Sequence, residues 1–256
     1  DLFNVSTTSV FILAGADVAV VKHGNRGITS KSGGADALEA LGITIDLPAE
    51  AFGRCVETVG AGFLFAPLYH PAFKAVVPVR KLLAERGQRT IFNLLGPLLN
   101  PVRPDYQLIG VFDPTTGPVF AEILQQLGRK CAWTVHGSAG AAGGMDELST
   151  LGETKIWKTT PESIEPFTFD PSSLPRDSAS LEALQGGEAT ENAAIIEGIL
   201  GGSIRGPKRD MALLNGAAGL VITGQAETIA EGFSRAADSI DSGAALAVLN
   251  RWRAFA

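Results

Sequence analysis

The chain has 256 residues, 45% hydrophobic and 19% charged, which is enough apolar material for one large domain or two smaller ones. A net charge of −6 argues against a general nucleic-acid or anionic-membrane binder, because contact with a phosphate backbone needs a basic face. Two cysteines, Cys55 and Cys131, exclude a disulfide framework and fit a reducing cytoplasm, and no apolar run approaches membrane-spanning length.

The chain opens at Asp1 on sequence that reads like the middle of a domain, so a further N-terminal part is expected ahead of it. Asn4-Val-Ser-Thr7 precedes the apolar stretch Val10 to Ala14, where hydroxyl side chains would cap a helix and free N–H groups would point outward. It is a candidate anion site, with a plain N-cap as the alternative. Val18-Ala-Val-Val21 reads as a strand, and Ala35, Leu38 and Leu41 read as one face of a helix capped by Ser32 and stopped by Gly42.

Between that strand and helix lies Lys22-His-Gly-Asn-Arg-Gly-Ile-Thr-Ser-Lys-Ser-Gly-Gly34, dense in cations, amides, hydroxyls and glycines. Backbone N–H groups, a helix dipole, Lys22 and Arg26 converging there make an anion site, most simply for phosphate. A solvated Gly-rich turn is the plainer alternative.

Phe52, Cys55, Val56 and Val59 continue with helical spacing up to a break at Gly60-Ala-Gly62. From His70 to Pro101, Pro, Gly and Asn punctuation suggests a crossing between two bodies of structure. A strand over 107–112, a helix over 119–127 and a strand over 130–135 then predict a right-handed crossover in a parallel sheet. The Gly-rich loop after the second strand carries Asp146-Glu147, an acidic pair placed to hold a divalent cation or to face solvent. Residues 155–184 offer one or two edge strands. After Gly186-Gly187 the chain reads as helices over 192–200, 210–223, 227–240 and from 244 to the end.

Several strings together resemble one family. KHGNRGITSKSGGADALEALG from Lys22, NVST at Asn4, FAPLYHPAFKAVVPVRK at Phe65, RTIFNLLGPLLNP at Arg89, GMDELS at Gly144, ENAA at Glu191 and DSGAALAVL at Asp241 are similar, in order, to anthranilate phosphoribosyltransferases. The resemblance covers essentially the whole chain. It implies an α/β fold with a large domain (1–69 and 102–256) built on a central, mostly parallel sheet flanked by helices. Residues 70–101 would contribute to a small helical domain that is only partly present. It also implies transfer of phosphoribose from 5-phosphoribosyl 1-diphosphate to anthranilate in tryptophan synthesis, with Mg2+, by a cytoplasmic homodimer.

Carried over by that resemblance, Asn4, Val5, Ser6, Thr7, Lys22, His23, Gly24, Asn25, Arg26, Ser30 and Gly34 would bind the donor or line its site, with Lys22 and Arg26 catalytic. Ser6, Asp146 and Glu147 would meet magnesium, and Asn25 and Arg80 would contact anthranilate. An Arg suits a carboxylate because its guanidinium can clamp it bidentately. His23, His70 and His136 stand at strand ends, where histidines more often satisfy local hydrogen bonds than catalyse.

This sequence departs from the family pattern at Leu2, where a hydroxyl residue is common, at Gly34, where Ser is common, and in the longer Ala/Gly loop Ser138 to Gly144. The family's Gly-Thr-Gly-Gly-Asp loop would precede Asp1. A pyrimidine-nucleoside phosphorylase shares the fold and a related loop, and a non-catalytic branch of the superfamily binds nucleic acid; these are the rival readings.

Overall fold

A computed structural model describes residues 1–27, 31–88 and 90–255, with the side chains of all but Lys74, Val77, Arg80, Lys81, Ala84, Phe92 and Asn93. In chain order the elements are α1 (Val5–Gly15), β1 (Val20–Gly24), α2 (Gly34–Ala40), α3 (Ala49–Val59), β2 (Ala61–Phe65), α4 (Ala66–Tyr69), α5 (Val77–Glu85), α6 (Phe92–Leu95) and β3 (Tyr106–Gly110). They continue with α7 (Gly117–Gln126), β4 (Cys131–Ser138), β5 (Gly144–Met145), β6 (Thr154–Thr159), β7 (Ile164–Phe169), α8 (Ala189–Leu200), α9 (Pro207–Ile222), α10 (Ile229–Asp241) and α11 (Ala244–Ala254).

Helix α1 is the centre of the core. Val5, Thr7, Thr8, Ser9, Val10, Phe11, Ile12 and Ala14 are all buried, so it shows almost no polar face. It can be enclosed because its neighbours present small groups. A Cβ on Gly216 or Gly219 of α9 would press on Ile12 and Leu13, and a Cβ on Gly15 would meet the main chain of Ala245. Ser239 of α10 donates its hydroxyl to the Ile12 carbonyl at 2.8 Å, and the Phe11 ring lies 5.7 Å from that of Trp252 on α11. Fully burying side chains such as Phe11 and Ile12 contributes about 1.5–3 kcal/mol each. The C-terminal helices are therefore the packing on which the first helix rests.

The strands form two sheets. β1 and β2 pair in parallel, with Lys22 opposite Phe63, and the connection between them carries α2 and α3. The larger sheet has the order β3-β4-β6-β7, with β5 also on β4. β3 and β4 are parallel, joined through α7 as the strand–helix–strand pattern predicts. The α/β class therefore holds, but the expected mostly parallel sheet is mixed: β4–β5, β4–β6 and β6–β7 are antiparallel.

The reason is connection length. β6 and β7 are joined by a tight turn closed by Thr160 N–H to the Ser163 carbonyl at 2.8 Å, and a parallel return needs a dozen or more residues. The edge strands expected after residue 155 are this hairpin. Gly60 takes φ +84 at the end of α3 and turns the chain directly into β2, which is why the break falls there.

Candidate active site

Three segments far apart in sequence meet at one place: the first turn of α1, the middle of β1, and the acidic pair just after β5. Lys22 Nζ donates to Ser6 Oγ at 2.8 Å. Burial lowers the Lys22 pKa, against the opposing pull of the Glu147 and Asp146 carboxylates. Burial raises Glu147, the neighbouring Asp146 adds to the rise, and Lys22 and the Ser6 N–H oppose it. Burial also raises Asp146, against its own backbone N–H, Lys22 and His136. Lys22, Asp146 and Glu147 are thus half-buried together, and Lys22 opposes the shift of both carboxyl groups as they oppose its own.

The Asn4–Thr7 hydroxyls do not cap their helix as expected. Asn4 is the N-cap residue without a side-chain capping bond, and its Nδ2 reaches instead to the Ser32 carbonyl at 3.4 Å. Asn4 Oδ1 and Thr7 Oγ1 are buried with no hydrogen-bond partner among the described residues. An orphaned buried polar atom costs about 1–3 kcal/mol, so such a pair beside a cation marks a place where a ligand completes the bonding. A Cβ on Gly34 would fall against Lys22 Cε and near Thr7 Oγ1, so Gly34 is the floor of the same place. Val5 is buried, and Gly24 ends β1.

The expected Ser32 cap is also displaced. Gly33 is the N-cap of α2, and Asp36 reaches back to its N–H at 2.8 Å. Arg26 is turned toward α2: its NH2 donates to Glu39 at 2.8 Å, its NH1 contacts Glu39 and lies 3.4 Å from Asp36, and its guanidinium stands 5.6 Å from the Phe65 ring centroid. Burial alone would raise Asp36, yet the Gly27 and Gly33 N–H groups and Arg26 hold it below its ordinary value. Asn25 takes the Arg26 N–H on its Oδ1 at 2.8 Å.

Two of the histidines lie on strands, His23 on β1 and His136 on β4, whereas His70, expected at a strand end, follows α4. His23 and His70 meet at 3.1 Å between their Nε2 atoms, so they share one proton, and burial with help from His70 lowers His23 to about 4. His136 Nδ1 meets the Val111 carbonyl at 2.9 Å. Ser30 lies outside the described residues. Arg80 lies on α5, and its side chain is likewise outside them.

Sequence reasoning missed two glycines that place the acidic pair. A Cβ on Gly110, at the end of β3, would overlap the Asp146 main chain, and one on Gly137 of β4 would press on the Glu147 carbonyl. The loop after β5 lies directly on the strand backbones only because neither position has a side chain. Their only signals in sequence were a glycine inside the predicted strand 107–112 and another just past the predicted strand 130–135. Gly110→Ala should therefore destabilise the protein by about 1–3 kcal/mol, because backbone must move. A melting curve of the variant measures the loss; a normal melting temperature would mean that the pair's placement tolerates the shift.

These elements define a class: an α/β domain that gathers Ser6, Lys22, Asp146 and Glu147 at a strand–helix junction. A family model described as "Glycosyl transferase family, a/b domain" matches residues 1–246. The anthranilate phosphoribosyltransferase of Natronomonas pharaonis is 47% identical over 255 residues, covering 100% of this chain and 74% of the relative. That of Moorella thermoacetica is 47% identical over 247 residues, covering 96% and 70%. Among solved structures, the anthranilate phosphoribosyltransferase of Thermus thermophilus superposes with a TM-score of 0.89 at 40% identity over 99% of this chain and 73% of that one. The Saccharomyces cerevisiae enzyme in complex with PRPP and Mg gives a TM-score of 0.87 at 29% identity over 98% and 69%. The chain belongs to the anthranilate phosphoribosyltransferase family.

Proposed function

We infer that this chain transfers phosphoribose from 5-phosphoribosyl 1-diphosphate to the amine of anthranilate, giving N-(5-phosphoribosyl)anthranilate and diphosphate, in tryptophan biosynthesis. The observation that carries this reading is the meeting of Ser6, Lys22, Asp146 and Glu147 beside the unpartnered Asn4 and Thr7 oxygens. It is supported by the yeast relative's complexes with PRPP and Mg and with 4-fluoroanthranilate.

The chemistry asks for what this site holds. As the amine nitrogen bonds to the sugar carbon, the bond to diphosphate breaks, positive charge gathers on the ribose and negative charge on the leaving group. No protein nucleophile is needed. The chain's contribution is alignment and charge stabilisation. Lys22 faces the departing diphosphate, with Ser6, the Asn4 and Thr7 side chains and the Gly34 backbone completing its cradle. Val5, His23, Gly24 and Ser30 line it, and Arg26 supports it from the loop after β1 by pairing with Glu39 of α2. Asn25 and Arg80 take the acceptor side, in the second case through the crossing segment 70–101.

Two carboxylates and a hydroxyl are an all-oxygen donor set, the kind that suits Mg2+, which keeps waters and substrate oxygens for its other positions. Among the described residues no cluster of three or more His, Cys, Asp or Glu could hold a metal by itself. Ser6, Asp146 and Glu147 would hold Mg2+, which supplies further charge neutralisation at the diphosphate. The reading includes a cytoplasmic homodimer, which sedimentation of the full-length protein checks.

Loss of anthranilate fluorescence on mixing full-length protein, donor, magnesium and anthranilate is the direct test. A turnover that needs all four components is expected. Consumption that proceeds with inorganic phosphate and a pyrimidine nucleoside instead would assign the site to a phosphorylase.

A further inference from the structure

We propose that Asp36, backed by Glu39, is a positioning residue for donor binding: the two carboxylates of α2 set the backbone at Asn25–Gly27 relative to Lys22. The proposal rests on the donor-site reading above.

One oxygen of Asp36 does two jobs. Its Oδ2 accepts the Gly27 N–H at 2.8 Å and the Gly33 N–H at 2.8 Å, while Oδ1 lies 3.4 Å from Arg26 NH1. Positions well apart in sequence are thereby tied to one carboxylate on one helix. The tie is tight: a Cβ on Gly33 would strike the Gly27 nitrogen and the backbone of Arg26 and Asn25. The Ala35 N–H also bonds the Asn25 carbonyl at 3.3 Å. One turn further along α2, Glu39 engages both NH groups of Arg26.

Charge explains why these acids act on the loop and not on the substrate. A free carboxylate beside a diphosphate would repel it. Asp36 and Glu39 are engaged by Arg26 and two backbone N–H groups, so their charge is matched locally and their geometry is transmitted. Arg26 is correspondingly a brace between α2 and Phe65 at the end of β2. Lys22 stands a few residues upstream on β1, and α2 begins at Gly34, against Lys22 Cε and Thr7. Movement of α2 relative to the loop would therefore move the cradle on two sides at once.

The test is donor titration by calorimetry on full-length Asp36→Ala, Asp36→Asn, Glu39→Gln and Lys22→Ala, with steady-state constants for both substrates. Asp36→Ala should weaken the donor by roughly 10- to 100-fold, the scale of a misplacement of about 1 Å, with the anthranilate KM changing less than about twofold. Asp36→Asn, which keeps one acceptor oxygen, should fall between it and the unmodified protein. Glu39→Gln should lose roughly two- to fivefold, as for a partly exposed ion pair. Donor affinity within about twofold of normal in both Asp36→Ala and Glu39→Gln would overturn the proposal, as would donor and acceptor constants falling in step with a lost melting transition in Glu39→Gln. Lys22→Ala separates the two readings. If it leaves donor binding intact the donor site itself is misassigned, whereas if it alone weakens binding only the role of Asp36 fails.

Discussion

Lys22→Ala should reduce kcat/KM for the phosphoribosyl donor by roughly 100- to 1,000-fold, a loss typical of removing one preorganised charge from a leaving-group site. The lysine issues from the middle of a parallel strand, is locked by Ser6 Oγ at 2.8 Å, and has its pKa lowered by burial. A half-buried ammonium has already shed part of its hydration when the substrate arrives, so its attraction for a diphosphate is offset less by the displacement of water. Without it, Asp146 and Glu147 would face the incoming anion with no protein cation between them. Lys22→Arg should recover little, since a planar guanidinium does not reproduce the compact ammonium's bond to Ser6 Oγ. Stopped-flow or steady-state donor titrations measure the loss. A change confined to the anthranilate KM would move Lys22 to the acceptor side.

The largest companion effect is expected from Asp146→Ala combined with Glu147→Ala. Turnover should fall by roughly 100-fold or more, and what remains should no longer respond to added magnesium or to chelation. The two single variants should not add, because both carboxyl groups are shifted by Lys22 and Glu147 is shifted by Asp146 as well. An unaltered magnesium titration in the double variant would reject the pair as ligands. The fold should survive the change: these side chains lie on a loop, whereas stability resides in the packing of α1 against α9, α10 and α11.

Much of the molecule was legible in sequence because its elements are locally determined. The four C-terminal helices appear within a few residues of their predicted spans, since apolar spacing and glycine joints fix a helix without reference to distant chain. The break at Gly60 was readable for the same reason, and so was a strand at Val20 and Val21, although β1 runs on through Lys22 to Gly24, where a loop is expected from the sequence. Element pairing was less so. β6 and β7 return antiparallel because of a short turn within a polar segment whose alternation is weak, so the mixed character of the sheet had no clear local signal.

The site divides along the same line. Residue chemistry alone marks Asn4–Thr7 and Lys22 as candidate anion-binding groups and Asp146–Glu147 as a candidate cation-binding pair, because amides, hydroxyls, an ammonium and paired carboxylates announce what they can bind wherever they lie. Their meeting point, and the partner that each side chain chooses, were decided only by tertiary structure. Thr7 faces a ligand place and does not cap its helix; Arg26 braces α2; Asp36 ties Gly27 to Gly33; Gly110 and Gly137 admit the acidic loop. Those choices depend on distances between segments that share no local sequence, and on which groups burial has stripped of water. Composition fixes the first of these quantities not at all and the second only on average.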